Sequence, residues 1–334
     1  MNKGLTAVPC ALLLCLFLGL ALPAQAEVKG KLVIYTSMKE SLIGKLRDAF
    51  AKKYPGVVVD PYSAGAGKIM AKIAAERESG GSVADLLWTS EIPDFYQLKD
   101  QGFLEKYVSP EAASIVSPVK DPDGYFTPAR LGTLGLAYNT KLVKDPPKTW
   151  QDLFDPRFKN AFGIANPALS GTAFVSVSLL VNTFGWDYFV HLKANGAKMG
   201  QGSGQVVDDT ASGDLKACIG VDYITSEKMG KGATLGLFFP QEMLVIPSPV
   251  AIIKGTKNLE AAKLFVDFLL SREGQTLIAS SGTLPIRTDV ELPAGSGLVP
   301  PKEAVERAMQ LDYQKTIVEK EATIAKFTEI MRGK

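Results

Sequence analysis

Histidine and cysteine are scarce in this sequence, and neither sign of charge is in surplus. One histidine and three cysteines occur among 334 residues, and 37 Lys and Arg face 35 Asp and Glu, for a formal net charge of +2. A balance so close to neutral gives no field to draw in nucleic acid or an anionic membrane nonspecifically. The lone histidine, His191, sits in Tyr188-Phe189-Val190-His191-Leu192, which reads as a surface helix. Without a second histidine, transition-metal and Ser-His-Asp chemistries are poorly served. Internal repeats, low-complexity stretches and Ser/Gly linkers are also missing. What remains, 46% hydrophobic and 22% charged residues, is the composition of a globular protein with ample core, divided into two lobes of a hundred-odd residues each.

Residues 1–26 read as a cleavable signal peptide: Lys3, the apolar run 11–20 (ALLLCLFLGL), then Ala24-Gln25-Ala26 before Glu27. The run is short for a membrane anchor, and Pro23 follows it. Cys15 raises a lipid-modified cysteine as an alternative, but Leu14 stands before it where a small residue is expected. The mature chain then has 308 residues, a net charge of +1 and one cysteine, Cys218. No intramolecular disulfide is possible, and Cys218, between Ala217 and Ile219, reads as a small buried hydrophobe. A large secreted chain without disulfides points to a bacterial periplasm.

Short apolar runs alternate with amphipathic segments. Leu32-Val33-Ile34-Tyr35 predicts a buried strand, and Leu42, Ile43, Leu46, Ala49 and Phe50 fall at helical spacing after it. Strands at 57–59 and 85–88 and helices at 67–79 and 92–101 continue the pattern of a parallel α/β sheet. After Gly124 come an extended segment, Arg130 to Asn139, and a capping-box spacing at Thr149-Trp150-Gln151-Asp152 that predicts a short helix. A second alternating region runs from Phe162 to about Phe239, and a second extended segment from Met243 to Ile253. Helices follow at 258–270 and 272–280, and residues 301–332 read as a charged helical tail. The pattern implies two α/β lobes joined by two extended segments: 27–129 with 246–285, and 130–245, with 286–334 packing across both. A ligand site would lie in the cleft between them.

Four stretches fall at strand-to-helix junctions and offer hydroxyls and unpaired backbone N–H groups: Thr36-Ser37, Ser63 to Gly67 with Gly65, Thr89-Ser90-Glu91, and Ser170-Gly171-Thr172. Each alone reads as an ordinary N-cap. Four converging on one cleft suit an oxyanion. Gly65-Ala66-Gly67-Lys68 is not a P-loop, because Tyr62 and Ile69 stand where Gly and Ser or Thr are needed. Glu91, Asp222 and Glu242, with Tyr223, supply acidic and aromatic groups suited to an ammonium or to sugar hydroxyls; Glu227 reads as a rim charge. Arg130 is placed either to bind a phosphate bidentately or to pair with a carboxylate across the hinge.

YTSMKE (35–40), AFAKKYPGV (49–57), ADLLWTSE (84–91), ANPALSGTAF (165–174), ASGDLKACIGVDY (211–223) and NLEAAKLFVDFLLSREGQ (258–275) occur in an order that resembles the bacterial periplasmic solute-binding proteins of ABC importers. The likeness is to the branch with ferric-ion-, sugar-phosphate-, thiamine- and 2-aminoethylphosphonate-binding members. It implies the type II periplasmic-binding-protein fold, two α/β lobes with a two-stranded hinge closing on one ligand. It also implies a monomer without cofactor or enzymatic activity, working with an ABC permease and ATPase at the inner membrane. A small phosphorylated or phosphonate solute is the leading expectation, held by Thr36, Ser37, Gly65, Gly67, Ser90, Glu91, Arg130, Ser170, Gly171, Thr172, Asp222, Tyr223 and Glu242. The alternative is a ferric ion, with Glu91 and Tyr223 as ligands. Against it, the relatives' histidine position falls at Met38 or its neighbours, and Tyr223 stands alone where they carry a tyrosine pair. A secreted phosphoryl-acting enzyme is a third reading, weakened by the want of a nucleophile-base pair.

Overall fold

The computed structural model describes Met1 and residues 28–333; the expected signal peptide, with Cys10 and Cys15, otherwise lies outside the described residues. From the N-terminus the chain forms β1 (Gly30–Thr36), α1 (Glu40–Lys53), β2 (Val57–Ser63), α2 (Ala66–Glu78), β3 (Leu86–Trp88), α3 (Ile92–Asp100) and β4 (Leu104–Glu105). It continues through β5 (Thr127–Asn139), β6 (Phe162–Ala165), α4 (Gly171–Phe184), α5 (Asp187–Ala194), β7 (Lys198–Gly200), α6 (Ser203–Ser212) and β8 (Ala217–Val221). Then follow α7 (Asp222–Gly230), β9 (Leu235–Phe238), β10 (Leu244–Ile253), α8 (Leu259–Leu270), α9 (Arg272–Ser280), α10 (Pro301–Glu306) and α11 (Tyr313–Arg332).

The strands run β2-β1-β3-β10-β5-β8-β6-β7 across one curled sheet, with β4 added to β10 and β9 to β5. β1 pairs parallel with both β2 and β3, and β6 parallel with both β7 and β8. Each set is a βαβ arrangement, with helices covering the faces. Leu32 and Ile34 of β1 are fully buried, as the apolar run requires. The α1 stripe, Leu42, Ile43, Leu46 and Phe50, is buried too, and the Phe50 ring meets Phe265 and Phe268 of α8 edge-on at 5.1 and 5.5 Å. Val58 of β2 is exposed between buried Val57 and Val59, because β2 is an edge strand with one covered face.

β5 and β10 are the two extended crossovers, and they pair antiparallel down the middle of the molecule. Their register slips between Pro247 and Pro249, opposite Pro128 to Leu131. Proline contributes no ladder donor, so the β5–β10 ladder is interrupted here, and Trp88 Nε1 donates to Ser248 O (3.1 Å) and Gln275 Nε2 to Ala129 O (2.8 Å) beside the gap. Two expectations take a more specific form. The capping box at Thr149 forms, with Asp152 N–H on Thr149 Oγ1 (3.2 Å) and Thr149 N–H on Asp152 Oδ2 (3.1 Å), but it opens only the 3₁₀ turn Gln151–Phe154. The tail is not one helix: α10 stops at Glu306, and the backbone N–H groups of Met243 and Met309 pair with the carbonyls of Arg307 and Met243 in the break. Beyond it α11 packs on α3, α4 and α5. Among the described residues no single helix is long and apolar enough to cross a membrane.

Candidate ligand-binding site

Parallel strands end where the following helices begin, so the carboxyl edge of such a sheet gathers helix N-termini. Here five gather around one cavity of about 530 Å³. Its wall includes the N-cap residues of α1 (Lys39), α2 (Gly65), α4 (Ser170), α6 (Gly202) and α7 (Val221). The first turn of a helix leaves N–H groups without intrahelical partners and carries the positive end of the macrodipole. Only Ser170 among these five caps its helix with a side chain, accepting from Ala173 N–H at 3.3 Å. At α1, α2 and α6 that role is left open, while in the first turn of α7 Asp222 Oδ1 accepts from Tyr223 N–H (2.7 Å).

Side chains add to the same sign. Lys39, Lys68 and Arg130 line the cavity, and among the described residues no Asp or Glu does. Hydroxyls come from Ser37, Ser63, Ser90, Ser170, Thr172 and Ser203. Several are already oriented: Ser37 Oγ accepts from Ser90 N–H (3.2 Å), Ser63 Oγ donates to Met38 O (2.6 Å), and Ser170 Oγ meets Ser203 Oγ at 3.1 Å. The site is positive and rich in hydroxyls and backbone donors.

Two glycines permit this closeness. A Cβ on Gly65 would run into the Leu169 carbonyl, and one on Gly171 into the Glu91 carboxylate and the Ala66 side chain. The loop before α4 therefore rests directly on the N-terminus of α2, with the two sides of the cleft in contact.

Arg130, 1% exposed, forms part of the cavity wall. Its Nη1 donates to Thr283 Oγ1 (2.6 Å) and lies 3.5 Å from Asp222 Oδ1, its Nε reaches Met38 Sδ (3.2 Å), and its guanidinium stacks 5.0 Å from the Tyr223 ring centroid. It pairs with a carboxylate, one of the two roles read from the sequence, and it also lines the cavity. Asp222 is fully buried outside the lining: its oxygens accept from Thr133 N–H and Oγ1 (both 2.9 Å), Thr283 Oγ1 (2.6 Å) and Tyr223 N–H (2.7 Å). Burial pushes its pKa up, while Arg130 and these donors pull it down. Asp222 is a structural clasp between β5, α7 and the segment after α9.

Glu91 and Asp94 open α3 behind the cavity, 2% and 3% exposed. Both pair with Lys320 of α11, at 3.1 Å for Asp94, and the Lys320 ammonium also sits 5.6 Å from the Phe174 ring of α4. Burial and then the Glu91 charge push Asp94 up to about 7, against the pull of Lys320. Burial opposes the Lys320 charge, but Asp94 and Glu91 overcome it and raise the ammonium's pKa.

Of the residues singled out from the sequence, Ser37, Gly65, Ser90, Arg130, Ser170, Gly171, Thr172 and Tyr223 come together on the cavity wall. Thr36 lies beneath it, donating to Trp88 O (2.8 Å) and accepting from Met38 N–H (3.1 Å). Gly67 is the second residue of α2, outside the lining. Glu91 and Asp222 sit behind it in the clusters just described. Glu242 is exposed and away from the cavity, where only its carbonyl is engaged, by Trp150 Nε1 at 2.8 Å. Sequence reasoning missed Lys39, the first turn of α6 and the weight of Lys68. The run Gln201-Gly202-Ser203-Gly204-Gln205 before apolar Val206-Val207 was the available signal for α6.

The family model described as "Bacterial extracellular solute-binding protein" matches residues 35–276. A putative 2-aminoethylphosphonate-binding periplasmic protein of Salmonella typhimurium is 28% identical over 258 residues, 73% of each chain. The periplasmic binding protein AfuA from Actinobacillus pleuropneumoniae, solved with fructose-6-phosphate bound, is 29% identical with a TM-score of 0.77, over 91% of this chain and 99% of that one. Iron-bound HitA from Pseudomonas aeruginosa is 25% identical with a TM-score of 0.75, over 90% and 99%.

Proposed function

From the family to which this chain belongs, the bacterial extracellular solute-binding proteins, we infer that it captures a solute in the periplasm for an ABC importer. We propose further that the solute is a small phosphorylated or phosphonate compound, held without turnover and passed to the permease and ATPase by a monomer. The observation that carries this reading is the convergence of five helix N-termini and three cationic side chains on a cavity whose described lining holds no carboxylate. Each helix terminus contributes about 0.3–1 kcal/mol to holding an anion, and each hydrogen bond to a charged group about 1.5–3 kcal/mol. The hydroxyls and N–H groups suit the tetrahedral oxygens of a phosphoryl group. AfuA, similar in fold and 29% identical, was solved with a sugar phosphate, which supports the same class.

The proposed lobes are 27–129 with 246–285, and 130–245, with the 286–334 tail across both. The slip between Pro247 and Pro249 lies at this division and is the proposed hinge. The contacts of Gly65 with Leu169 and of Lys39 with Tyr223 are those of a closed cleft, so loading requires rotation about the slip. Small-angle scattering on ligand-stripped protein should give a radius of gyration that falls when a phosphoryl ligand is added. An unchanged radius at saturation counts against the hinge.

The likeness to iron-bound HitA favours a second reading, a ferric carrier. Its two candidate ligands are already engaged: Lys320 holds Glu91, and the Tyr223 hydroxyl accepts from Lys39 N–H. The phosphoryl reading needs no such rearrangement.

A further inference from the structure

We propose that the solute carries no ammonium group: its phosphoryl end is joined to an uncharged, hydroxylated body, as in a phosphorylated sugar or polyol. The inference rests on the phosphoryl reading above and narrows it against the amine-bearing phosphonate that one relative's name suggests.

A bound ammonium needs a carboxylate, a set of carbonyls or an open aromatic face once it leaves water. The carboxylates near this cavity are all committed elsewhere. Glu91 is held by Lys320, and Asp222 by Arg130, Thr133, Thr283 and the Tyr223 N–H. At the outer mouth, beside Lys39 and Gln205, Glu40 pairs with Arg47 (2.8 Å), Glu227 with Lys231 (2.6 Å) and Asp208 with Lys228.

The two tyrosines on the wall are occupied as well. Arg130 stands 5.0 Å from the Tyr223 ring centroid, and the Lys72 ammonium 5.5 Å from that of Tyr62. A ligand amine would therefore meet Lys39, Lys68 and Arg130 with no counter-charge on the wall. Hydroxyl groups, by contrast, find partners in Ser203 and in the Gln205 amide, which still donates through its NH2 while its Oε1 is taken by the Gln201 N–H (2.6 Å). A cavity of about 530 Å³ also has room for a body larger than two carbons beside the phosphoryl group.

The test uses two matched pairs on the mature wild-type protein, measured by isothermal titration at one ionic strength. The pairs are 2-hydroxyethylphosphonate with 2-aminoethylphosphonate, and glucose 6-phosphate with glucosamine 6-phosphate. Within each pair only the hydroxyl-for-ammonium exchange differs. The expected result is that the hydroxyl member binds about tenfold tighter or more in every pair that binds, since an unpaired charge costs at least the ~1.4 kcal/mol that a factor of ten represents. Equal affinity, or a tighter amine, in either pair overturns the inference and leaves the phosphoryl reading intact. Failure of all four compounds to bind overturns the phosphoryl reading, and the inference falls with it.

Discussion

The backbone N–H of Lys39 donates a hydrogen bond to the phenol oxygen of Tyr223, 3.2 Å away and 184 positions along the chain. Lys39 caps α1 on one side of the cleft, and Tyr223 stands in the first turn of α7 on the other. Burial raises the phenol's pKa, so it is neutral at physiological pH and keeps its own proton to donate into the cavity. The same ring carries the Arg130 guanidinium on its face. One side chain thus joins the Lys39 backbone to the buried cation.

Tyr223→Phe removes that contact and keeps the ring. The expected loss in affinity is about three- to tenfold, from a net hydrogen bond of about 0.5–1.5 kcal/mol. Under the proposed closure, the loss falls on the dissociation rate. Stopped-flow release of a phosphoryl ligand checks this; an unchanged dissociation rate rejects the role in closure. The same variant tests the iron reading. Wild-type protein loaded with ferric citrate should show no visible tyrosinate band, and a colour that Tyr223→Phe removes would favour the ferric carrier.

Thr172→Ala and Ser37→Ala act on donors from opposite sides of the cavity. Each should weaken phosphoryl binding about ten- to a hundredfold, the equivalent of one hydrogen bond to a charged group. The Thr172→Ala melt should stay close to wild type, since Thr172 is not the α4 cap, whereas Ser37→Ala also strands the buried Ser90 N–H and should cost about 1–3 kcal/mol. Two variants that both bind like wild type would show that the phosphoryl group sits elsewhere.

Arg130→Met should behave differently, because it strands Asp222 in the interior. Removing one partner of a buried ion pair costs about 3–5 kcal/mol. The double variant Arg130→Met, Asp222→Asn should recover part of that loss, and denaturant unfolding of the four proteins of the cycle measures it. If the double variant is destabilised by the sum of the two single effects, Arg130 and Asp222 are not coupled.

Asp94 makes stability depend on pH. Its folded-state pKa is about 7 against the ordinary carboxylate value of 3.8, so the folded protein binds the extra proton between those values. Its contribution is therefore fully present at low pH and is lost as pH rises from about 4 to 7. Asp94→Asn should flatten the stability curve over that window relative to wild type. Lys320→Met should be more destabilising at pH 8 than at pH 5, where Asp94 is protonated and no longer needs the ammonium. Parallel pH profiles of the two variants would contradict this account.

The fold was legible because its signals are local. The LVIY run of β1, the α1 stripe and the Ser170 cap each declare themselves within a dozen residues, and both crossover strands stand out as extended segments. The site was legible where a junction loop combined Gly with Ser or Thr. It was not legible for the carboxylates. Nothing near Glu91 in the sequence foretells that Lys320, 229 positions later, turns its charge away from the cavity. Asp222 likewise looks like a loop acid until Thr133 and Thr283 close on it. Glu242 follows a proline turn, but its side chain points into solvent at the end of β9's loop. These acids suggested an ammonium or sugar hydroxyls; long-range pairing engages Glu91 and Asp222, and Glu242 lies in solvent away from the cavity.

The most direct measurement is native mass spectrometry of the mature protein taken from its own periplasm without refolding. The bound species should be a small anion that releases a phosphorus-containing fragment on collisional activation, at one copy per chain, and Thr172→Ala should lower its occupancy. A bound metal ion, or a phosphorus-free ligand at full occupancy, would contradict the account.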